Sequence, residues 1–315
     1  MLRRQWLKNM TISGALIVLT ACGGGGSDGG TAAVAGVEPA TQAQENALTY
    51  MNDIRLGSGA GSLSYNTLLE KAALKHEQYL EDVYEKFHVD LGHTEDNQNY
   101  PSPYYTAPRP YQRLSTVGYK NYAEEVISYA VGNMLPNWRI EDSIDNLLTA
   151  IYHRFALLNP SFDEIGLGGI YGTDTYKAFV HMIGKSTTAY EKQKNADEMI
   201  VYPYPNQSNV FPVFYEEYPD PLPDYTMSGN PVSVTFNSAL VQSVSVISFK
   251  LFKGSEEVTN VRLMDKSNDP NNEFTDYQFA LFPLDVLESG MLYTVKLDYI
   301  VDGTQKHKEW QFTTR

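Results

Sequence analysis

Apolar positions recur at helical spacing in two early segments. Ala47, Leu48, Met51 and Ile54 share one face of a helix expected over residues 41–57, which Gly57-Ser58-Gly59-Ala60-Gly61 ends. Leu68, Leu69, Ala72, Ala73, His76, Tyr79, Leu80 and Val83 form the inner face of a second helix expected over 66–86. His76 on that face reads as a packed core histidine. Residues 88–117 lose the period. Pro101, Pro103, Pro108 and Pro110 interleave there with Tyr100, Tyr104, Tyr105 and Tyr111, which suits a long loop at the rim of a cleft. A short helix is expected from Ala123 to Met134 and a longer one from Ile140 to Leu157. The second carries an apolar stripe of Ile144, Leu147, Leu148, Ile151, Phe155 and Leu158. Asp142 and Ser143 suit its first turn, and Asn159-Pro160 stops it. Residues 165–171 and 178–183 read as two strands joined at Gly172-Thr173-Asp174.

Beyond residue 190 the pattern changes. Residues 191–230 are polar and then rich in Pro and Tyr, and are expected to be an extended interdomain linker. From residue 231 the alternation has a period of two, in Val232–Phe236, Val244–Leu251, Tyr293–Tyr299 and Trp310–Thr313. Asp302-Gly303 is a strong hairpin signal. About seven short strands in this stretch suggest an immunoglobulin-like β-sandwich, although no cysteine pair is available to brace one. The fold class is therefore α+β, followed by an all-β domain.

Composition adds two things. The 315-residue chain has a formal charge of −14, which argues against nucleic acid as a partner and against charge-driven binding to an anionic membrane. The N-terminus reads as a bacterial lipoprotein leader. Arg3, Arg4 and Lys8 precede the apolar run Met10–Leu19, and Leu19-Thr20-Ala21-Cys22 matches a lipobox. Residues 1–21 would be removed, and Cys22, the only cysteine, would be acylated as the membrane anchor. Gly23 after it weakly favours the outer membrane or cell surface. The Gly-rich tether that follows, to residue 40, spans roughly 20–25 Å.

Candidate chemistry gathers between residues 93 and 168. His93 lies in the loop, Glu124 and Glu125 are adjacent, and His153 follows in the next helix. The segment His153-Arg154, then Leu158-Asn159-Pro160-Ser161-Phe162-Asp163-Glu164-Ile165-Gly166-Leu167-Gly168, resembles the signature of bacterial CAP proteins (the SCP/PR-1-like, cysteine-rich secretory protein family). Gly118-Tyr119 with Ala123-Glu124-Glu125-Val126, Gly92-His93-Thr94, and Asn52, Arg55, Leu63, Tyr65, Leu68, Ala72, Ala73 and His76 resemble three further family motifs in the same order.

The resemblance implies a CAP domain over residues 41–190. Its fold would be an α-β-α sandwich with an open cleft, in which two histidines and up to two glutamates can bind a divalent metal. His93, His153 and Glu124 match those positions. The second acidic position is Ala150, a nearby Trp is Leu147, the Gly before Glu124 is Ala123, and the Asn after it is Glu125. Glu125 is a candidate substitute acid, although it would point elsewhere on the expected helix.

Two imidazoles and a carboxylate with an open position make a zinc-type set. Three readings follow. His93, Glu124 and His153 form a structural polar cluster; or the cleft binds a divalent metal, zinc first, and/or a small-molecule, lipidic or cell-wall ligand; or it is a metal-dependent hydrolase of peptide or cell-wall substrates with Glu124 as base or ligand. A serine hydrolase is a poorer match, since no G-x-S-x-G elbow is present.

Overall fold

The computed structural model describes residues 41–132 and 137–315. The leader, Cys22 and the tether lie outside the described residues. Among these, no helix is long and apolar enough to cross a membrane.

Helix α1 (Gln42–Ser58) opens with a capping box between Thr41 and Gln44 and ends on Gly59 at φ +92°. Strand β1 (Ser64–Tyr65) leads into α2 (Thr67–Phe87), whose first amides donate to the Asn66 side chain. After the long loop comes α3 (Pro110–Thr116). The next element, β2 (Ala123–Val131), is a strand and not the helix expected from 123 to 134. It pairs antiparallel with the later β4 along its whole length, from Ala123↔Gly184 to Val131↔Tyr176. Both of its faces are covered by helices, so the polar-apolar alternation that marks a half-buried strand is blurred.

The helix expected over 140–157 is two helices, α4 (Ile140–Thr149) and α5 (Ile151–Leu157), separated by Ala150 in an extended conformation. The buried Arg154 guanidinium donates to the carbonyls of Leu148 (2.6 Å) and Thr149 (3.5 Å) freed by the break. Strands β3 (Glu164–Leu167) and β4 (Tyr176–Gly184) complete a sheet of order β1-β3-β4-β2.

That sheet is the middle of three layers. Val126, Ala130, Ile165, Leu167, Phe179 and Ile183 pack against α1, α4 and α5 on one face. Tyr176, Ala178, Val180 and Met182 pack against α2 and α3 on the other. At Gly166 the backbone of α2 lies against the sheet: a Cβ there would fall 2.0 Å from the Glu70 nitrogen.

The remaining elements are α6 (Ala189–Gln193), β5 (Met199–Tyr202), β6 (Gln207–Val210), β7 (Val213–Phe214), β8 (Ser228–Gly229), β9 (Val232–Phe236), β10 (Val244–Lys253), β11 (Glu256–Glu257), β12 (Val261–Met264), β13 (Gln278–Pro283), β14 (Leu292–Val301) and β15 (Thr304–Thr314). They build sheets of order β11-β10-β14-β15-β6 and β12-β13-β9-β5 around a shared apolar core. Asp302 and Gly303 form the expected hairpin turn, both with positive φ.

The β-rich region begins earlier than residue 231. The segment expected to be linker supplies β5, paired with β9, and β6, paired with β15. β5 also joins the two halves of the molecule. Met199 and Val201 enter the core between the two sheets, while Ile200 and Tyr202 enter the core of the three-layered part. Burial on both faces requires apolar residues throughout, which is why Met199-Ile200-Val201-Tyr202 shows no alternation.

Candidate functional site

Because β2 is a strand, the adjacent glutamates project to opposite faces of the sheet. Glu125 shares the α2 face with Ile127, and Glu124 shares the α4–α5 face with Val126. Glu125, not Glu124, is the carboxylate that meets His93, at 3.0 Å from Nδ1 to Oε1. Arg113 on α3 donates from Nη2 to both Glu125 oxygens at 2.7 Å, and to the His93 carbonyl at 3.1 Å. Behind them His76 is fully buried, its ring nitrogens 3.1 Å from Glu95 Oε1 and 2.9 Å from the Gly92 carbonyl. Glu95 also accepts from the Thr106 and Ala107 amides, which fixes the long loop. Burial alone would raise the pKa of Glu125. His76, the His93 hydrogen bond and Arg113 outweigh it and hold the carboxyl at about 2.

His153, at the start of α5, is held by a residue from the expected linker. Its Nδ1 lies 2.8 Å from Oε2 of Glu217, which also accepts the Tyr152 amide at 3.1 Å. Next to it the Tyr152 hydroxyl donates to Asp269, and Phe155 packs on Phe274 with ring centroids 4.9 Å apart.

Glu124 accepts a hydrogen bond from the Tyr122 hydroxyl (2.9 Å). Burial raises its pKa, Tyr122 and Lys185 lower it, Glu273 raises it, and the net shift is upward. His93, Glu124 and His153 therefore make no hydrogen bonds to one another; each has its own partner. Among the described residues no group of three or more His, Cys, Asp or Glu is arranged to hold a metal ion. What the structure does present is one exposed imidazole, His93, and one largely buried, His153, each with Nδ1 fixed by a buried carboxylate. Among the described residues the Nε2 atoms of both are unpartnered.

Residues 48–184 match the sequence model of the cysteine-rich secretory protein family, CAP. This part of the molecule is a CAP domain. The three-layered arrangement around β1–β4 coincides with the match. Among solved structures the chain is similar to an outer surface protein from Borrelia burgdorferi, at 19% identity and a TM-score of 0.35, covering 49% of this chain and 100% of that one. No curated protein matches it.

Within the CAP domain, most signature residues prove to be structural. Asn52 makes a two-way bridge to Leu63, through its side-chain amide and carbonyl. Arg55, fully buried, donates to the carbonyls of Ala60, Gly61, Leu157, Asn159 and Phe162. It ties the end of α1 to the Asn-Pro turn. Burial lowers its pKa to about 9. Gly168 makes room for Glu77, whose carboxylate accepts the amides of Gly169 and Tyr171, and Gly169 makes room for the Phe179 ring.

Arg154 reaches out of the CAP domain altogether. It donates to the Pro231 carbonyl (2.6 Å), Asn230 Oδ1 (2.6 Å) and Ser233 Oγ (3.1 Å), and lies 4.6 Å from the Tyr202 ring centroid. Glu217, Arg113 and Glu95 complete the environment of the histidines and were not singled out from sequence. Arg113 and Glu95 fall in the stretch 88–117 whose sequence shows no helical period, and Glu217 is 64 residues from His153 with no motif around it.

Proposed function

We propose that this protein is an extracytoplasmic CAP-domain protein, anchored to the membrane through acylated Cys22, whose cleft binds a divalent metal through His93 and His153. The observation that carries the reading is the matched pair of carboxylate–histidine contacts. Nδ1 of each ring is committed, to Glu125 and to Glu217. That selects the tautomer with a lone pair on Nε2 and raises its basicity, the usual setting of a metal-binding imidazole. Glu217 thus provides a carboxylate at His153 where the family's own acidic position is Ala150 in this chain. A site built on the two imidazoles would be open, completed by water or by a small or cell-wall ligand. When bound, zinc would supply Lewis acidity.

The test is calorimetry with zinc on the chain lacking residues 1–36. Stoichiometric binding is expected, abolished in His93→Ala and in His153→Ala. In Glu217→Gln, binding should weaken by about 10- to 100-fold. A folded wild type that takes up no zinc, manganese or cobalt would refute the reading.

The second reading, a metal-dependent hydrolase, draws support from Glu124, whose carboxyl is shifted by burial toward its protonated form. It requires metal-dependent turnover of a peptide or peptidoglycan substrate that Glu124→Gln removes while zinc binding persists.

A further inference from the structure

We propose that the groove between α3 and the turn into β2 binds a glycan chain of linked pyranose sugars, independently of any metal. The groove has a volume of about 680 Å³, and Tyr111, Leu114, Lys120, Asn121 and Tyr122 are among its walls. Tyr111 is 67% exposed and Tyr122 60%, and with Tyr104 and Tyr105 they place four exposed tyrosines within residues 104–122.

The two phenols differ in their contacts. Tyr122 is anchored: its ring stacks on Phe162 at 6.1 Å and 12°, Lys185 lies 5.6 Å from its centroid, and its hydroxyl is bonded to Glu124. The Tyr111 ring and hydroxyl have no partner among the described residues, nor do the side chains of Lys120 and Asn121. One anchored and one free aromatic ring, with unengaged ammonium and amide groups lining the same groove, suit a pyranose. Its C–H face stacks on a phenol ring, and its hydroxyls take donors and acceptors at the edge.

A second groove of about 520 Å³, lined in part by Arg109, Tyr105, Asn97 and Gln98, repeats the mixture of ring and amide. Other ligand classes fit less well. Leu114 is the one sizeable aliphatic wall of the first groove, too little to cover an acyl chain. The net charge of −14 repels a nucleic acid.

The full chain is titrated with a soluble N-acetylglucosamine hexamer, and sedimented with purified peptidoglycan and with an insoluble neutral β-glucan. The peptidoglycan and β-glucan arms separate a cell-wall source from an external polysaccharide. Binding is expected in at least one arm, about tenfold weaker in Tyr111→Ala and weaker still in Tyr111→Ala/Asn121→Ala. His93→Ala and His153→Ala should bind sugar as the wild type does, so loss of the metal reading leaves this one standing. No glycan binding by the folded wild type, or binding unchanged in the double variant, would overturn the proposal. So would co-sedimentation with phosphatidylcholine vesicles that Tyr111→Ala abolishes, without any binding to sugar.

Discussion

Replacing Arg154 with Met should loosen the CAP domain from the β-rich region. The guanidinium is fully buried and donates to five acceptors: the carbonyls of Leu148, Thr149 and Pro231, Asn230 Oδ1 and Ser233 Oγ. Burying the charge is itself costly, and burial lowers its pKa to about 10. Methionine restores much of the volume and removes that cost, but it leaves the acceptors dry and unpaired. Each unsatisfied buried group costs about 1–3 kcal/mol, and breaking such a charged network costs about 3–5 kcal/mol in total.

Two tryptophans report the two halves. Trp138 packs on the CAP core, and Trp310 lies in the core between the two β-sheets. Urea unfolding followed by fluorescence in Trp138→Phe and Trp310→Phe backgrounds should give coincident transitions with Arg154 present. With Arg154→Met the stability should fall by about 3–5 kcal/mol and the two transitions should separate. A loss below about 1 kcal/mol with coincident transitions would refute the account of Arg154 as the tie between the halves.

Three other perturbations follow from particular contacts. Glu125 is held at about 2, below its unfolded value of about 4.3, so its stabilisation is complete above that value and is lost as pH falls toward 2. The stability gap between wild type and Glu125→Gln, read by denaturant titration, should therefore close across that window. Glu81 is buried, and burial together with nearby Glu77 raises its pKa to about 8. The folded state thus favours the protonated acid, and stability is lost as pH rises from about 4.3 through 8. Glu81→Gln should match the wild type near pH 3.5 and unfold at a higher temperature than it near pH 9. Gly166→Ala should cost about 1–3 kcal/mol or more, because the new methyl meets the α2 backbone at Glu70 and Leu69, which cannot rotate away. An unchanged melting temperature would contradict that packing.

The sequence by itself determined the elements whose physics is local. The apolar stripes of α1 and α2, the stop at Asn159-Pro160 and the Asp302-Gly303 hairpin all depend on neighbours within a few residues, and a one-dimensional pattern carries them. Order and spacing of motifs were enough to mark the CAP domain as well. Only the tertiary structure decided which carboxylate serves which histidine. β2 resembled a helix because cover on both faces removed its alternation, and reading it as a strand exchanges Glu124 for Glu125 at His93. β5 resembled linker for the same reason, being shared between two cores. Glu217 comes to His153 from beyond the CAP domain, across 64 residues of chain. Such a pairing is set by how the two halves pack, a long-range property with no signature in the residues that flank it.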